Sequence, residues 1–139
     1  MDLSQIPLFQ MLRGRLSYLS DRQKLIAENV ANADTPGYKP HDLKPFSFQA
    51  QVQASQAGAS SAMAVTQPGH ITPPNTRSAT AAKPVTTKDS ETTLDGNSVV
   101  LEEEMLKMGQ ARMEYDAAIG FYQKSLNLIR LAARAPGHG

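Results

Sequence analysis

The segment Ala31-Asn32-Ala33-Asp34-Thr35-Pro36-Gly37-Tyr38-Lys39 decides how this chain folds. It stands where a long amphipathic pattern stops. Thr35 precedes a proline, which pushes it from helical toward extended geometry. Pro36 and Gly37 suit the two central positions of a type II turn, where proline pre-sets φ and glycine accepts φ > 0. Tyr38 adds an amphipathic ring that can dock on a neighbouring surface while its hydroxyl reaches a partner. The segment reads as a rigid corner with an anchor behind it. It offers nothing for acid–base or nucleophilic chemistry, so it points to shape and assembly.

Upstream of the corner, from about Ser4 to Ala33, apolar residues recur at Phe9, Leu12, Leu16, Leu19, Ile26, Val30 and Ala33. The spacings alternate three and four, with Gln23 at the missing step, which is the a/d stripe of a coiled-coil helix. Ser4 suits the N-cap, and Pro7 is tolerated in the first turn. About 30 residues at 1.5 Å each would span about 45 Å.

Far downstream the pattern returns. From about Ser98 to Ala133 the stripe runs Leu101, Met105, Met108, Arg112, Tyr115, Ile119, Tyr122, Leu126, Ile129 and Ala133. Asp95-Gly96-Asn97-Ser98 supplies turn and cap residues before it. Glu102, Glu103 and Glu104 fall where the helix dipole favours negative charge, and read as a solvated first turn. Arg130 and Arg134 fall where it favours positive charge. Pro136-Gly137 is a stop signal.

Between the stripes, from about Gln49 to Thr93, the only large apolar residues are Val52, Met63, Val65, Ile71 and Val85. Such a stretch buries too little apolar surface to offset ordering entropy of roughly 1–2 kcal/mol per residue. It reads as largely disordered in the lone chain. Two islands, Pro45–Phe48 and Thr66–Ile71, are expected to order on contact.

The expected fold is therefore mainly α. Two long terminal helices pair as an antiparallel coiled coil, joined by a largely irregular middle whose short β elements form on assembly. The expected divisions are 1–36 for the first helix and turn, 37–96 for the middle, and 97–139 for the second helix and tail. Aligning Phe9 with Ile129 sets Gln23 opposite Arg112 and Tyr115. These polar interruptions either fix register at the seam or snorkel to its rim. Leu8, Met11, Leu25, Val100, Met113, Phe121 and Leu128 widen both apolar faces beyond what one partner helix covers. The monomer is thus expected to be marginal, with copies or relatives packing side by side.

Composition narrows function by exclusion. Fourteen Lys and Arg against 13 Asp and Glu leave a net charge of +1, with no basic cluster for nucleic acid and no polybasic membrane signal. There is no cysteine, hence no disulfide scaffold or thiolate metal site. No apolar run approaches the roughly 20 residues of a membrane span. Met1-Asp2-Leu3-Ser4 lacks the basic and apolar regions of a cleavable signal peptide. His41, His70 and His138 are scattered without ligand spacing. No serine sits in a nucleophile elbow, and no glycine-rich phosphate loop precedes a helix. No cofactor, metal or enzymatic activity is expected. Met105, Met108 and Met113 suit adaptable packing.

Asn29-Val30-Ala31-Asn32-Ala33-Asp34-Thr35-Pro36-Gly37-Tyr38-Lys39 resembles the N-terminal motif of bacterial flagellar axial proteins of the rod and hook. Arg22-Gln23, Leu25 and Ala27-Glu28-Asn29 before it, with Asp95-Gly96-Asn97, Val100 and Glu102–Met105 near the other end, look most like the basal-body rod members of that family, those of the proximal rod. The resemblance spans about residues 5–48 and 94–134. It implies a structural subunit exported unfolded by the flagellar type III apparatus, assembling under the inner-membrane ring into a tube that transmits torque. Implied partners are other rod proteins, further copies of the chain, and the junction between export gate and inner-membrane ring. No nucleic acid or membrane insertion is implied. Asn29, Asn32, Thr35, Pro36, Gly37 and Tyr38 would form the assembly motif. Asn29 and Asn32 otherwise serve as helix-end caps. The competing reading is a secreted helical-hairpin binding module or export adaptor, which has no need of the Thr-Pro-Gly-Tyr corner.

Overall fold

The computed structural model describes residues 6–50, 53 and 82–134. Helix α1 spans Pro7–Ala31 and helix α2 spans Leu101–Arg134. Between them lie strands β1, His41–Leu43, and β2, Pro84–Thr86. The expected cap at Ser4, the island Thr66–Ile71, His70, His138 and the Pro136-Gly137 stop lie outside the described residues.

Proline sets where α1 begins. Pro7 takes the first helical position and Ile6 is the cap, extended at φ −74° and ψ 123°, with no side-chain bond. Proline is suited to that position because it lacks an N–H that would go unsatisfied there. At the other end Asn32 closes the helix at φ −101°. Its side-chain amide donates to the Glu28 carbonyl at 2.8 Å. Asn32 thus caps without left-handed geometry, and α1 stops two residues earlier than its stripe.

The helices run antiparallel, as the stripes predict. Phe9 meets Tyr122 edge to face at 5.2 Å, Arg15 pairs with Glu114 at 3.0 Å, and Asn29 reaches Glu104 at 2.8 Å. The register, however, is one heptad from the Phe9–Ile129 alignment, and it brings Gln23 level with Met108. Apolar pattern alone fits either register, because shifting by seven residues preserves a and d. The choice falls to the polar end of the seam, where Asn29 and Glu104 are both buried and need each other.

The seam on α2 also differs from its stripe. Glu104, Ala111 and Ala118 are buried, with Met108, Tyr115, Tyr122 and Ile129 half-buried beside them. Leu101 and Met105 are exposed at 46% and 62%, so they are not seam residues. Small alanines let α1 approach closely and bury its own large residues, so the helix turns that face inward. Arg112 is exposed, which places it off the seam. Glu104, expected in solvent, is fully buried.

The middle is more ordered than its composition suggests over 82–93. β1 and β2 pair antiparallel, with His41 opposite Thr86, Asp42 opposite Val85 and Leu43 opposite Pro84. The Thr87 N–H continues the ladder to the Pro40 carbonyl at 2.8 Å. Leu43 packs with Tyr18 and Leu19, against Leu25, Phe46, Ala82 and Tyr115. Arg22 holds Asp42 with two 3.0 Å bonds, the bidentate geometry that makes such pairs strong. Local hydrophobicity could not report this, because α1 supplies the surface on which β1 packs, and β2 is held by pairing with β1.

Candidate functional site

The corner forms the turn its sequence predicts. The Tyr38 N–H donates to the Thr35 carbonyl at 3.2 Å, and Gly37 sits at φ +70°. A second tight turn lies against it. Gly96 has φ +84°, and a Cβ there would stand 3.5 Å from the Gly37 Cα. The Gly37 N–H donates to the Asp95 carbonyl at 3.0 Å, and the Ser98 N–H donates to the Tyr38 carbonyl at 3.1 Å. The two glycine turns, one before and one after the middle segment, are thereby bonded back to back.

Asn97 fastens them. It is 2% exposed. Its amide donates to the carbonyls of Asn32 at 2.9 Å and Thr35 at 2.7 Å, while its oxygen accepts the Val99 N–H at 2.8 Å. Asp95 receives the Thr93 hydroxyl and the Asn97 N–H. Those bonds hold its carboxyl below the usual range.

Below the turns lies a buried polar joint. Asn29, 1% exposed, makes four hydrogen bonds. Its amide donates to the His41 carbonyl and to Glu104 Oε2, both at 2.8 Å. Its oxygen accepts the His41 N–H at 2.9 Å and the Tyr38 hydroxyl at 3.2 Å. That uses the capacity of an asparagine side chain in full. Burial pushes the Tyr38 hydroxyl above its ordinary pKa. Glu104 Oε1 accepts from Lys107 at 2.6 Å, and Lys107 also donates to Asp89 at 2.6 Å. Asp89 in turn accepts the Val100 N–H at 2.9 Å, at the start of α2. Burial alone would lower the Lys107 pKa, but its bonds to Asp89 and Glu104 outweigh that and raise it. Every charge in the chain Asp89–Lys107–Glu104 has a partner, which is the condition for burying one.

Of the expected corner residues, Asn29 lies in the joint and Tyr38 on its edge. Asn32 and Thr35 bond each other at 3.1 Å and lend carbonyls to Asn97. Pro36 and Gly37 are exposed. Of the expected packing residues, Phe9, Leu12, Leu19 and Ile26 are buried. Leu16, Val30, Met108, Tyr115, Ile119, Tyr122, Leu126 and Ile129 are half-buried, and Leu101 and Met105 are exposed. Sequence reasoning missed Asp89, Glu104 and Lys107 as one unit. The signal available was Glu104 and Lys107 at helical i, i+3 spacing. Asp89, far away in a polar stretch, carried none. Among the described residues no three His, Asp or Glu gather as metal ligands, and no helix is long and apolar enough to cross a membrane.

A joint that closes two terminal helices around a glycine corner is a structural device, and comparison with known proteins agrees. The family described as flagella basal body rod protein matches residues 9–39, from the first seam residue of α1 through the corner. The flagellar basal body rod protein FlgB of Agrobacterium fabrum strain C58 is 32% identical, over 82% of this chain and 83% of that protein. FlgB of Escherichia coli K12 is 30% identical, over 75% and 76% respectively. FlgB of Bacillus subtilis 168 is 31% identical, over 87% and 88%. These matches cover three quarters or more of the chain, well beyond the corner motif. With its helical hairpin and its corner, the chain belongs to the FlgB family, the structural, non-enzymatic rod proteins of the flagellar basal body.

Proposed function

We propose that this chain builds the proximal part of the rod, is exported unfolded by the flagellar type III apparatus, and takes its place at the junction with the inner-membrane ring. There it packs against other rod proteins and further copies of itself and transmits torque. The corner residues Asn29, Asn32, Thr35, Pro36, Gly37 and Tyr38 act as its assembly motif. They fix the angle at which the hairpin closes.

One observation carries the reading. The face of α2 turned away from α1 presents Leu106, Met113, Phe121, Leu128 and Leu131, each between 58% and 75% exposed. Large contiguous apolar faces of this kind mark protein–protein contact. Gly109 and Gly120 lie along α2, and beyond the helix's own neighbouring backbone no atom of the described residues comes within 4 Å of where a Cβ would stand. A glycine inside a helix costs roughly 0.5–1 kcal/mol relative to alanine. Nothing among the described residues offsets that cost, whereas close approach of a neighbouring subunit would.

The test is complementation of a strain lacking the gene. Wild type should restore swimming and recoverable rods. G37V should still reach the periplasm yet yield few rods, because a β-branched residue resists φ > 0. Swimming in the deletion strain, or unchanged rods with G37V, would contradict the reading.

A further inference from the structure

The turn that meets the corner is built on a chemically labile pair. Asp95-Gly96 is the only Asp-Gly in the chain, and no Asn-Gly occurs. In such a pair the glycine nitrogen can attack the carbon of the aspartyl carboxyl, because no Cβ on the second residue crowds its approach. The protonated carboxyl gives up its hydroxyl with the amide proton as water, and a five-membered succinimide closes. Water then opens the ring. Cleavage between the nitrogen and the side-chain carbonyl restores aspartate. Cleavage between the nitrogen and the main-chain carbonyl gives isoaspartate, with the former main-chain carbonyl released as a free carboxylate. One water leaves and one returns, so the mass is unchanged and no other reactant is needed.

The fold requires both residues of the pair. Gly96 sits at φ +84°, and a Cβ there would stand 3.5 Å from the Gly37 Cα. Side chains rarely accept that backbone conformation. Asp95 takes the Thr93 hydroxyl and the Asn97 N–H on its carboxylate, and its carbonyl takes the Gly37 N–H at 3.0 Å. Asp95 is exposed, so burial does not shield it. The bonds of the turn do. The Gly96 N–H, which must be given up for attack, donates to the Thr93 carbonyl at 2.9 Å. The carboxylate is pinned, and its lowered pKa keeps it further than usual from the protonated form that reacts.

We propose that Asp95-Gly96 is a site of spontaneous isoaspartate formation in the unfolded chain, silenced when the two glycine turns bond to each other. Isoaspartate adds one carbon to the main chain and removes the carbonyl that accepts from Gly37. It also moves Asn97 off the Asn32 and Thr35 carbonyls. A chain that has reacted cannot join the turns, so the same contact that protects fresh chains rejects aged ones. Unfolded chains are the vulnerable form in general, because modification competes there with folding. The inference does not depend on where in the rod the chain sits.

The test holds the full-length chain at neutral pH in urea, and the same chain within isolated basal bodies without urea, and samples both over days. Peptide mapping with electron-transfer fragmentation locates isoaspartate by residue. In urea it should build up at position 95. In basal bodies it should form at least about tenfold more slowly, because reaction must wait for the turn to open locally. G96A, whose Cβ crowds the attacking nitrogen, should lose most of the signal in urea. Diluted from urea, aged wild type should regain less helical circular dichroism than fresh wild type, in proportion to its isoaspartate at position 95. Equal rates in the two settings would overturn the proposal. So would isoaspartate at other positions in place of 95, an unchanged signal in G96A, or aged chain that regains helix as fully as fresh chain.

Discussion

Asn29 shows how one side chain can set a register. Its four bonds reach Tyr38, both backbone groups of His41, and Glu104, so α1, the corner, β1 and α2 meet at a single amide. Lys107 does the same with charge, holding Asp89 and Glu104 together. K107M should therefore destabilise the fold by about 3–5 kcal/mol, since it leaves two buried carboxylates without their cation. N29A should cost about 1–3 kcal/mol, through unpaired groups on Glu104 and His41. Thermal melts followed by circular dichroism at neutral pH rank the two. Alkali gives an independent check. The Lys107 pKa is raised in the folded chain above its ordinary 10.5. Its contribution is therefore full below pH 10.5 and lost as pH rises through the raised value. Tyr18 and Tyr38, also raised, act in the same direction. Stability should fall above pH 10.5, and more steeply in wild type than in K107M. Equal slopes would remove Lys107 from the joint. Here the sequence was legible only in part. The turn at Pro36-Gly37 follows from local stereochemistry, whereas Glu104 reads as a solvated helix-start acid until its distant partners are in place.

The helices were readable as elements, because their periodicity is a property of each segment alone. Which face of α2 turns inward was not. Leu101 and Met105 continue a regular stripe, yet Ala111 and Ala118 occupy the seam. Small residues lose little burial themselves but let the opposite helix come closer, and that gain belongs to the pair rather than to the stripe. The register had the same ambiguity, resolved by polar partners 75 residues apart. L12C should crosslink with A118C or I119C, and not with L126C, under mild oxidation of the folded protein. Efficient L12C–L126C crosslinking would restore the alignment of Phe9 with Ile129. Short β elements in the middle were expected, but where β1 and β2 fall was not legible, for a related reason. Each has three residues, and the buried side chain of β1, Leu43, packs on Tyr18 and Leu19 of α1.

At the scale of the whole molecule, the β1–β2 ladder works as a neck. It makes Leu43 and Pro84 direct partners, so the chain between them leaves and re-enters at one place. The hairpin should then fold without that excursion. Replacing residues 50–81 by a short Gly/Ser linker should leave the helical signal per molecule intact. The melting temperature should not fall, since shortening a closed loop gains about 0.6 kcal/mol per halving. Loss of helix would mean that the excursion supports the fold. The joint, by contrast, has consequences in time. Arg15 finds Glu114 across 99 residues and Asn29 finds Glu104 across 75. Contacts so distant in sequence make folding slow, because the loop must close before any of them stabilises it. A chain emerging N-terminus first delivers the segments of α1, the corner and β1 long before Glu104 and Lys107 appear. Until then Asn29 has only His41 and Tyr38 to bond, and α1 has no opposite helix. The protein is thus a late folder by topology: nearly its whole length must be delivered before it can commit to a shape.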